Sequence, residues 1–412
     1  MKKGINKTLM LLNSEFTRVL ILTCLVFLSF LNTSCKRNNT AQLVRVQVEN
    51  DLDFERTEVV EVRGKLLEDL LKNTKPEFLR IQNEKDSSLL RTQWIDEDHD
   101  GNPELWLFQA QAPAKGISFY TILKDSVTPE PVSDVRAYSR FVPERTDDYT
   151  WENDKVAFRT YGPTGQQEAL AGVAGSTLSS GIDLWLKRTE RSVIDKWYKE
   201  HLKNPGYYHI DHGEGYDPYH VGRSRGTGGS AILQNDSLYV SENYVEYTTL
   251  ADGPLRTIFE LKYTPWSPFS MSERKRISLD LGSYFSKFEI NLESEDSIRG
   301  YSIGITLHNN QGDYNLNADQ GWVSHWEKID DAYVGEAVIM QPDVIDTTFA
   351  KISDVPDQSN LLIVTNSQET LSYYAGFVWS KSTDVESLED WGKTIKDKRR
   401  SIASPLKLSL SK

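Results

Sequence analysis

Between Ile232 and Trp379 the chain divides into ten short segments rich in Val, Ile, Tyr, Phe and Thr, among them LRTIFELKYTPW, KRISLDLG, FSKFEINLE and YVGEAVIM. Alternation of apolar and polar side chains with a period of two turns one face of a strand to a core and the other to water. Asp-Gly, Gly-Pro and Asn-Asn pairs punctuate the segments and supply the turns. The segments follow one another too closely for the crossover helices that parallel strands require. The expected fold is therefore all-β: a large antiparallel β-sandwich, super-sandwich-like, with a smaller N-terminal β unit and few short helices.

The first 34 residues read as a lipoprotein signal peptide. Lys2, Lys3, Lys7 and Arg18 precede the apolar run Val19 to Leu31, and Leu-Asn-Thr-Ser stands immediately before Cys35. The apolar run is too short to span a bilayer, which takes roughly 20 residues. Cys35 is the expected lipidation site, residues 35–42 a tether, and the expected location an outer-membrane lipid anchor on the periplasmic face. With Cys24 removed and Cys35 acylated, neither of the two cysteines is left for thiol chemistry. Residues 43–134 are expected to form the N-terminal β domain, ending at a linker containing Pro129 and Pro131, and residues 135–412 the large sandwich. The loop Asp96 to Glu104, DEDHDGNPE, has the oxygen spacing of a calcium loop, but the twelfth position would be Leu107, so it reads as a hairpin turn. Val193 to Lys203 reads as a helix capped by Ser192, and Trp391 to Leu410 as a final helix and tail.

The formal charge of −13 includes about +3 from the signal, leaving roughly −16 on the mature chain. Nucleic acid is excluded as a partner, because binding it needs a basic face that displaces counterions. Nucleotide cofactors are excluded too, since no GxxxxGK[ST] loop is present.

One stretch stands apart from the strand pattern. Tyr207 to Gly229, YYHIDHGEGYDPYHVGRSRGTGG, holds three of the seven histidines, four tyrosines, two arginines and three carboxylates on glycine-rich backbone. Such a density of titratable groups serves no core and marks the expected active site. Asp211, Glu214 and Asp217, with His212 and His220, offer ligands for a divalent cation, although none is required and no H-E-x-x-H helix motif is present. Upstream, Trp151 and Glu152 sit where a strand emerges and face a ligand in this reading; Trp185, Trp197 and Trp266 suit either sugar stacking or the core.

Together with PERTDDYTWENDKVAFRTYGP, SGIDLWLKR and DKWY, this stretch resembles an uncharacterised-domain family encoded in marine bacterial polysaccharide-utilisation loci, one described member of which is an ulvan oligosaccharide dehydratase. The resemblance implies elimination of water from a glucuronic or iduronic acid at the non-reducing end of a sulfated oligosaccharide, leaving a 4,5-unsaturated uronyl end. Such a reaction needs a base at C5, an acid at O4, and cations or hydrogen-bond donors at the carboxylate. On this reading His212, then His209, is the base; Tyr219 or Tyr208 is the acid; Arg223 and Arg225, supplemented by Lys187 and Arg188, hold the carboxylate; His220 serves either task. Two rival functions draw on the same residues. Glu214 and Asp217, joined by Glu152 and Asp154, would suit a glycoside hydrolase acting on acidic oligosaccharides, and the cleft without chemistry would make a lipid-anchored glycan-binding protein.

Overall fold

The computed structural model describes residues 42–411, apart from 220, 223, 295–299, 356–357, 367–368 and 383–384. The expected signal peptide, Cys35 and nearly all of the tether lie outside these residues, as do His220 and Arg223. Leu43–Lys412 forms one unit built of five sheets, and every pair of described strands is antiparallel. The expected all-β sandwich is what the chain forms.

Two sheets gather the N-terminal strands. One orders Lys407–Ser411, Gln42–Glu49, Ile117–Lys124, Leu79–Asn83 and Leu89–Leu90; the other orders Arg56–Arg63, Leu105–Ala112 and Thr92–Ile95. Alternate residues Val44, Val46 and Val48 meet Val60, Val62, Trp106, Phe108 and Ile122 in a shared core. The outermost strand of the first sheet comes from the far end of the sequence, where a helix and tail were expected. The helix spans Leu388–Ala403, capped by Ser387, and Lys407–Ser411 then pairs with Gln42–Glu49. Its alternation, KLSLS, is legible only once its partner is known.

The remaining three sheets enclose the main core. An eight-stranded sheet runs from Glu246–Asp252 at one edge to Asp313–Asn317 at the other, with Phe285–Glu293, Thr370–Trp379, Ala332–Met340 and Trp322–Ile329 side by side within it. A five-stranded sheet orders Ser237–Tyr239, Thr227–Gln234, Tyr301–Thr306, Asn360–Thr365 and Ile345–Lys351. Ile303, Ile305, Leu361 and Ile363 of the five-stranded sheet and Phe259, Ile277, Phe288, Val338 and Phe377 of the eight-stranded sheet share one buried cluster. Burying each such side chain fully contributes about 1.5–3 kcal/mol, which is why the two apolar faces meet.

The third sheet is unusually polar inside. It orders Gly215–Tyr216, Asp183–Lys187, Ala157–Thr160, Asp148–Glu152 and Tyr138–Val142, and its three central strands are buried at every position. Trp151, Phe158, Leu184 and Leu186 join the main core, whereas Trp185 packs on the other side with Trp197, Tyr198 and Tyr208. The helix that supplies Trp197 spans Ile194–Lys203. Ser192 does not cap it: the carboxylate of Glu152, on a neighbouring strand, accepts from the Val193 and Ile194 N–H groups at 3.0 and 3.1 Å, placing negative charge on the positive end of the helix.

Candidate functional site

The glycine-rich stretch is tied down at one end by a sealed ionic network. Register places Arg159 directly opposite Asp183 on the adjacent strand, so the pair forms across the ladder. The Arg159 guanidinium donates to Asp183 from Nε at 2.9 Å, to Asp217 at 2.8 Å and to the Tyr208 hydroxyl at 3.3 Å, and its Nη1 lies 3.9 Å from Asp148. Arg145 donates to the same Tyr208 hydroxyl at 3.2 Å, and Tyr198 donates to Asp148 at 3.1 Å. Arg159, Asp148, Asp183, Asp217 and Tyr208 are all buried. Burial pushes the Asp148 carboxyl up to about 6 despite the two arginines, and burial with the nearby Asp183 charge raises Asp217 well above the usual carboxylate range. Every side chain of this network has a partner inside the fold, although the buried Asp148 Oδ1 and Asp183 Oδ1 accept no hydrogen bond. The network's output is positional: Asp217 Oδ1 accepts from the Tyr219 N–H at 3.3 Å and so fixes the backbone that presents Tyr219.

Tyr219 reaches a second cluster, built by the eight-stranded sheet. Val323, His325 and Glu327 alternate along one strand, so they share a face. Glu336 is the cross-strand partner of His325, which brings all three polar side chains to the end of an otherwise apolar face. The Tyr219 hydroxyl donates to Glu327 Oε1 at 2.6 Å, and the Tyr219 ring stacks on His308 with 4.2 Å between centroids. His308 Nε2 is 4.0 Å from the same Glu327 oxygen. Deeper in, His325 Nδ1 lies 3.3 Å from Glu336 Oε2, its Nε2 faces the Gln311 carbonyl at 2.8 Å, and Thr227 donates to the other Glu336 oxygen. Burial raises the Glu327 carboxyl, with the Glu336 charge adding to it, and burial raises the Tyr219 phenol well above its usual range. Burial lowers the His325 imidazole, but the hydrogen bond and charge of Glu336, the contact with Gln311 and the Glu327 charge together outweigh it and leave it raised. Only the outer rim, Tyr219, His308 and the exposed loop around Gln311, meets solvent.

The other expected site residues are dispersed. His212 is exposed and stacks on Tyr207 at 4.0 Å, its Nε2 3.2 Å from the Tyr207 carbonyl; His209 stands at the mouth of the Arg159 network with Nδ1 3.0 Å from the Asp217 carbonyl. Neither adjoins Tyr219, and the described imidazole that does is His308. Tyr208 is buried, and its hydroxyl accepts from both Arg145 and Arg159. Lys187 and Glu152 face each other at 2.9 Å with no side-chain exposure, and Lys187 also donates to the Asn153 carbonyl at 2.6 Å. Glu152 braces the helix start, and both side chains are closed off from solvent. Trp151 is buried, with Nε1 donating to Ser286 at 2.9 Å, and Trp185, Trp197 and Trp266 are likewise core residues. Arg225 is enclosed, donating to Ser180 at 3.0 Å and the Ser230 carbonyl at 2.7 Å; a guanidinium sealed this way does not meet a carboxylate from solvent. Asp211, Glu214 and Asp217 do not converge on one point: Asp211 pairs with Arg188 at 2.6 Å, Glu214 with Lys196 at 2.7 Å, and Asp217 with Arg159.

His308, His325, Glu327 and Glu336 were not singled out from the sequence. The signal for two of them was present: in VSHWEKI, His325 and Glu327 occupy the positions that continue the apolar face begun by Val323. A groove of about 1160 Å³ lies away from this cluster, on the other face of the eight-stranded sheet beside the C-terminal helix. In its walls Arg256 pairs with Asp280 and Glu61, and Arg276 with Glu97.

Residues 48–408 match the family model of a domain of unknown function, DUF4861. The chain belongs to the DUF4861 family. A relative from Formosa agariphila, the uncharacterized protein P7, is 41% identical over 383 residues, covering 92% of this chain and 96% of its own. Among solved structures, a glycosyl hydrolase family 38 protein from Enterococcus faecalis superimposes with a TM-score of 0.48 at 9% identity, over 90% of this chain and 47% of that one. An α-mannosidase from the same species gives 0.43 at 8% identity, over 90% and 46%. The DUF4861 chain thus spans about half the length of these two structures.

Proposed function

We propose that this DUF4861 protein is a dehydratase acting on uronate-ended oligosaccharides of the ulvan type, held at the periplasmic face of the outer membrane by a lipid on Cys35. The observation that carries the reading is the Tyr219–His308–Glu327 group: a phenol and an imidazole stacked side by side at a solvent rim, with a carboxylate orienting the phenol. It supplies the proton donor and acceptor that elimination needs. His308 takes the C5 proton, the C5–H electron pair becomes the C4–C5 double bond, and the C4–O bond breaks. Tyr219, whose raised phenol keeps its proton until the leaving oxygen demands it, protonates O4, and water departs. The imidazolium then releases its proton to solvent and the phenolate regains one, so the cycle closes without any other reactant. His220, next to Tyr219 in sequence, and Arg223, four residues beyond it, remain proposed as carboxylate-binding groups.

The test is incubation with a sulfated uronyl-rhamnose oligosaccharide, following the ultraviolet absorbance of the conjugated enoate. Growth of that absorbance with wild-type protein, and its loss in His308→Gln, is expected. New reducing ends without absorbance would establish a glycoside hydrolase instead, and binding with neither change would establish a glycan-capture protein.

A further inference from the structure

His325 has an arrangement that its role beside Tyr219 does not explain. Its Nε2 faces a backbone carbonyl, that of Gln311, at 2.8 Å. A carbonyl only accepts, so Nε2 carries the hydrogen and the neutral ring presents a bare lone pair at Nδ1. That lone pair points at a carboxylate oxygen, Glu336 Oε2, 3.3 Å away. Two acceptors do not face each other in a buried site unless something positive lies between them. Glu327 adds a second carboxylate: ligand atoms of His325, Glu327 and Glu336 all lie within 4.8 Å of one another, and all three residues are buried. A proton on His325 would serve Glu336 alone, whereas a divalent cation shared by the three side chains would balance both carboxylates with the imidazole neutral.

We infer that His325, Glu327 and Glu336 bind a divalent transition-metal ion, with zinc as the best-matched species. An imidazole nitrogen with two carboxylate oxygens favours the zinc class over calcium or magnesium, which take oxygen ligands almost exclusively. The Nε2–H bond to the Gln311 carbonyl is the outer support that metal-bound imidazoles characteristically have, fixing ring orientation and tautomer. Thr227 does the same for Glu336, and the Tyr219 hydroxyl for Glu327. Three protein ligands leave a coordination position open, and the rim formed by Tyr219 and His308 is where a ligand would approach it. A uronate carboxylate in that position would have its growing negative charge neutralised by the ion; this last role rests on the dehydratase reading, whereas binding of the ion does not.

The site is distinct from Asp211, Glu214 and Asp217, and from the hairpin loop that brings Asp96, Asp98, Asp100 and Glu104 together. That loop is exposed and offers oxygen alone, so it serves as the internal control.

The experiment uses the whole mature chain, stripped with chelator and dialysed, then titrated with cobalt(II) and followed by visible absorption. The expected result is saturation at one equivalent, with the intense ligand-field bands of a four- or five-coordinate site that includes nitrogen, and their loss when zinc is added. His325→Ala and the near-isosteric Glu336→Gln should each weaken binding at least tenfold while far-ultraviolet circular dichroism stays unchanged. Asp98→Asn/Asp100→Asn should leave it intact. Absence of these bands in the wild-type chain would overturn the inference, as would equal binding by Glu336→Gln. Neither result touches the dehydratase reading, which is judged by enoate formation.

Discussion

Arg159→Leu isolates the contribution of the network beneath Tyr219. Leucine fills part of the space but leaves Asp183, Asp217 and Asp148 facing one another in a buried site from which one guanidinium has gone. Breaking a buried pair in this way costs about 3–5 kcal/mol near neutral pH. The stranded carboxylates have an escape, which is to fold protonated. Holding one neutral costs about 1.36 kcal/mol for each pH unit above its ordinary value of 3.8. That is about 1.6 kcal/mol at about pH 5 and about 5 kcal/mol at about pH 7.5. The deficit of the variant should therefore shrink on acidification, by less than that difference because Asp148 and Asp217 are already raised with Arg159 in place. Equilibrium urea unfolding of both proteins at the two pH values measures it. The sign follows from the direction of the shift: carboxyls raised in the folded state keep protons that the unfolded chain has released, so stability falls as pH rises through the interval between the two values. A deficit below about 1 kcal/mol, or one identical at both pH values, would refute the claim that Arg159 neutralises buried charge.

Further outcomes follow from the same structure. Asp148→Asn should flatten the loss of stability between about pH 4 and pH 6 by about 3 kcal/mol, because the folded carboxyl titrates at about 6 rather than 3.8; an unchanged slope in urea titrations would contradict this. Tyr219→Phe should reduce turnover by about 10²- to 10⁴-fold with unaltered circular dichroism, and undiminished turnover would remove Tyr219 from the chemistry. Lys187→Met should cost about 3–5 kcal/mol, and adding Glu152→Gln should recover much of it; a double variant no better than the single would show that the pair does not act as a unit. Gly226→Ala should cost more than about 2 kcal/mol, since its φ is +57° and an added Cβ would lie 1.9 Å from the Ile182 carbonyl. Gly392→Ala, in the C-terminal helix with open space around it, should gain about 0.5–1 kcal/mol.

The sandwich was legible because its signal is local. Alternation within ISLDL or FEINL marks a strand and its buried face without knowledge of its neighbour. What depended on register was not legible. His325 and Glu336 become a pair only when two strands are set side by side, and Glu152 becomes a helix cap only when a segment 41 residues away folds against it. Charged residues in and beside strands were read as facing a substrate, yet Lys187, Glu152 and Arg225 are sealed inside, because paired charges and backbone carbonyls satisfy them there. The stretch Tyr207 to Gly229 was read as unsuited to a core, yet Tyr208, Asp217, Val221 and residues 224–229 are buried; polarity alone did not separate these from Tyr219, at the rim. That division was made by Arg159 and Glu327, both distant in sequence.

In the proposed reaction His308 takes a C5 proton and Tyr219 protonates the departing C4 hydroxyl of the same sugar. It is tested most directly with a uronyl oligosaccharide carrying deuterium at C5, incubated with wild-type protein and followed by mass spectrometry and proton NMR. The account expects a product lighter by water with the deuterium gone, a vinylic H4 signal, an intact glycosidic bond, and slower turnover than with the protiated substrate. A product that keeps its C5 deuterium, or one in which the glycosidic bond is cut and a new reducing end appears, would contradict it.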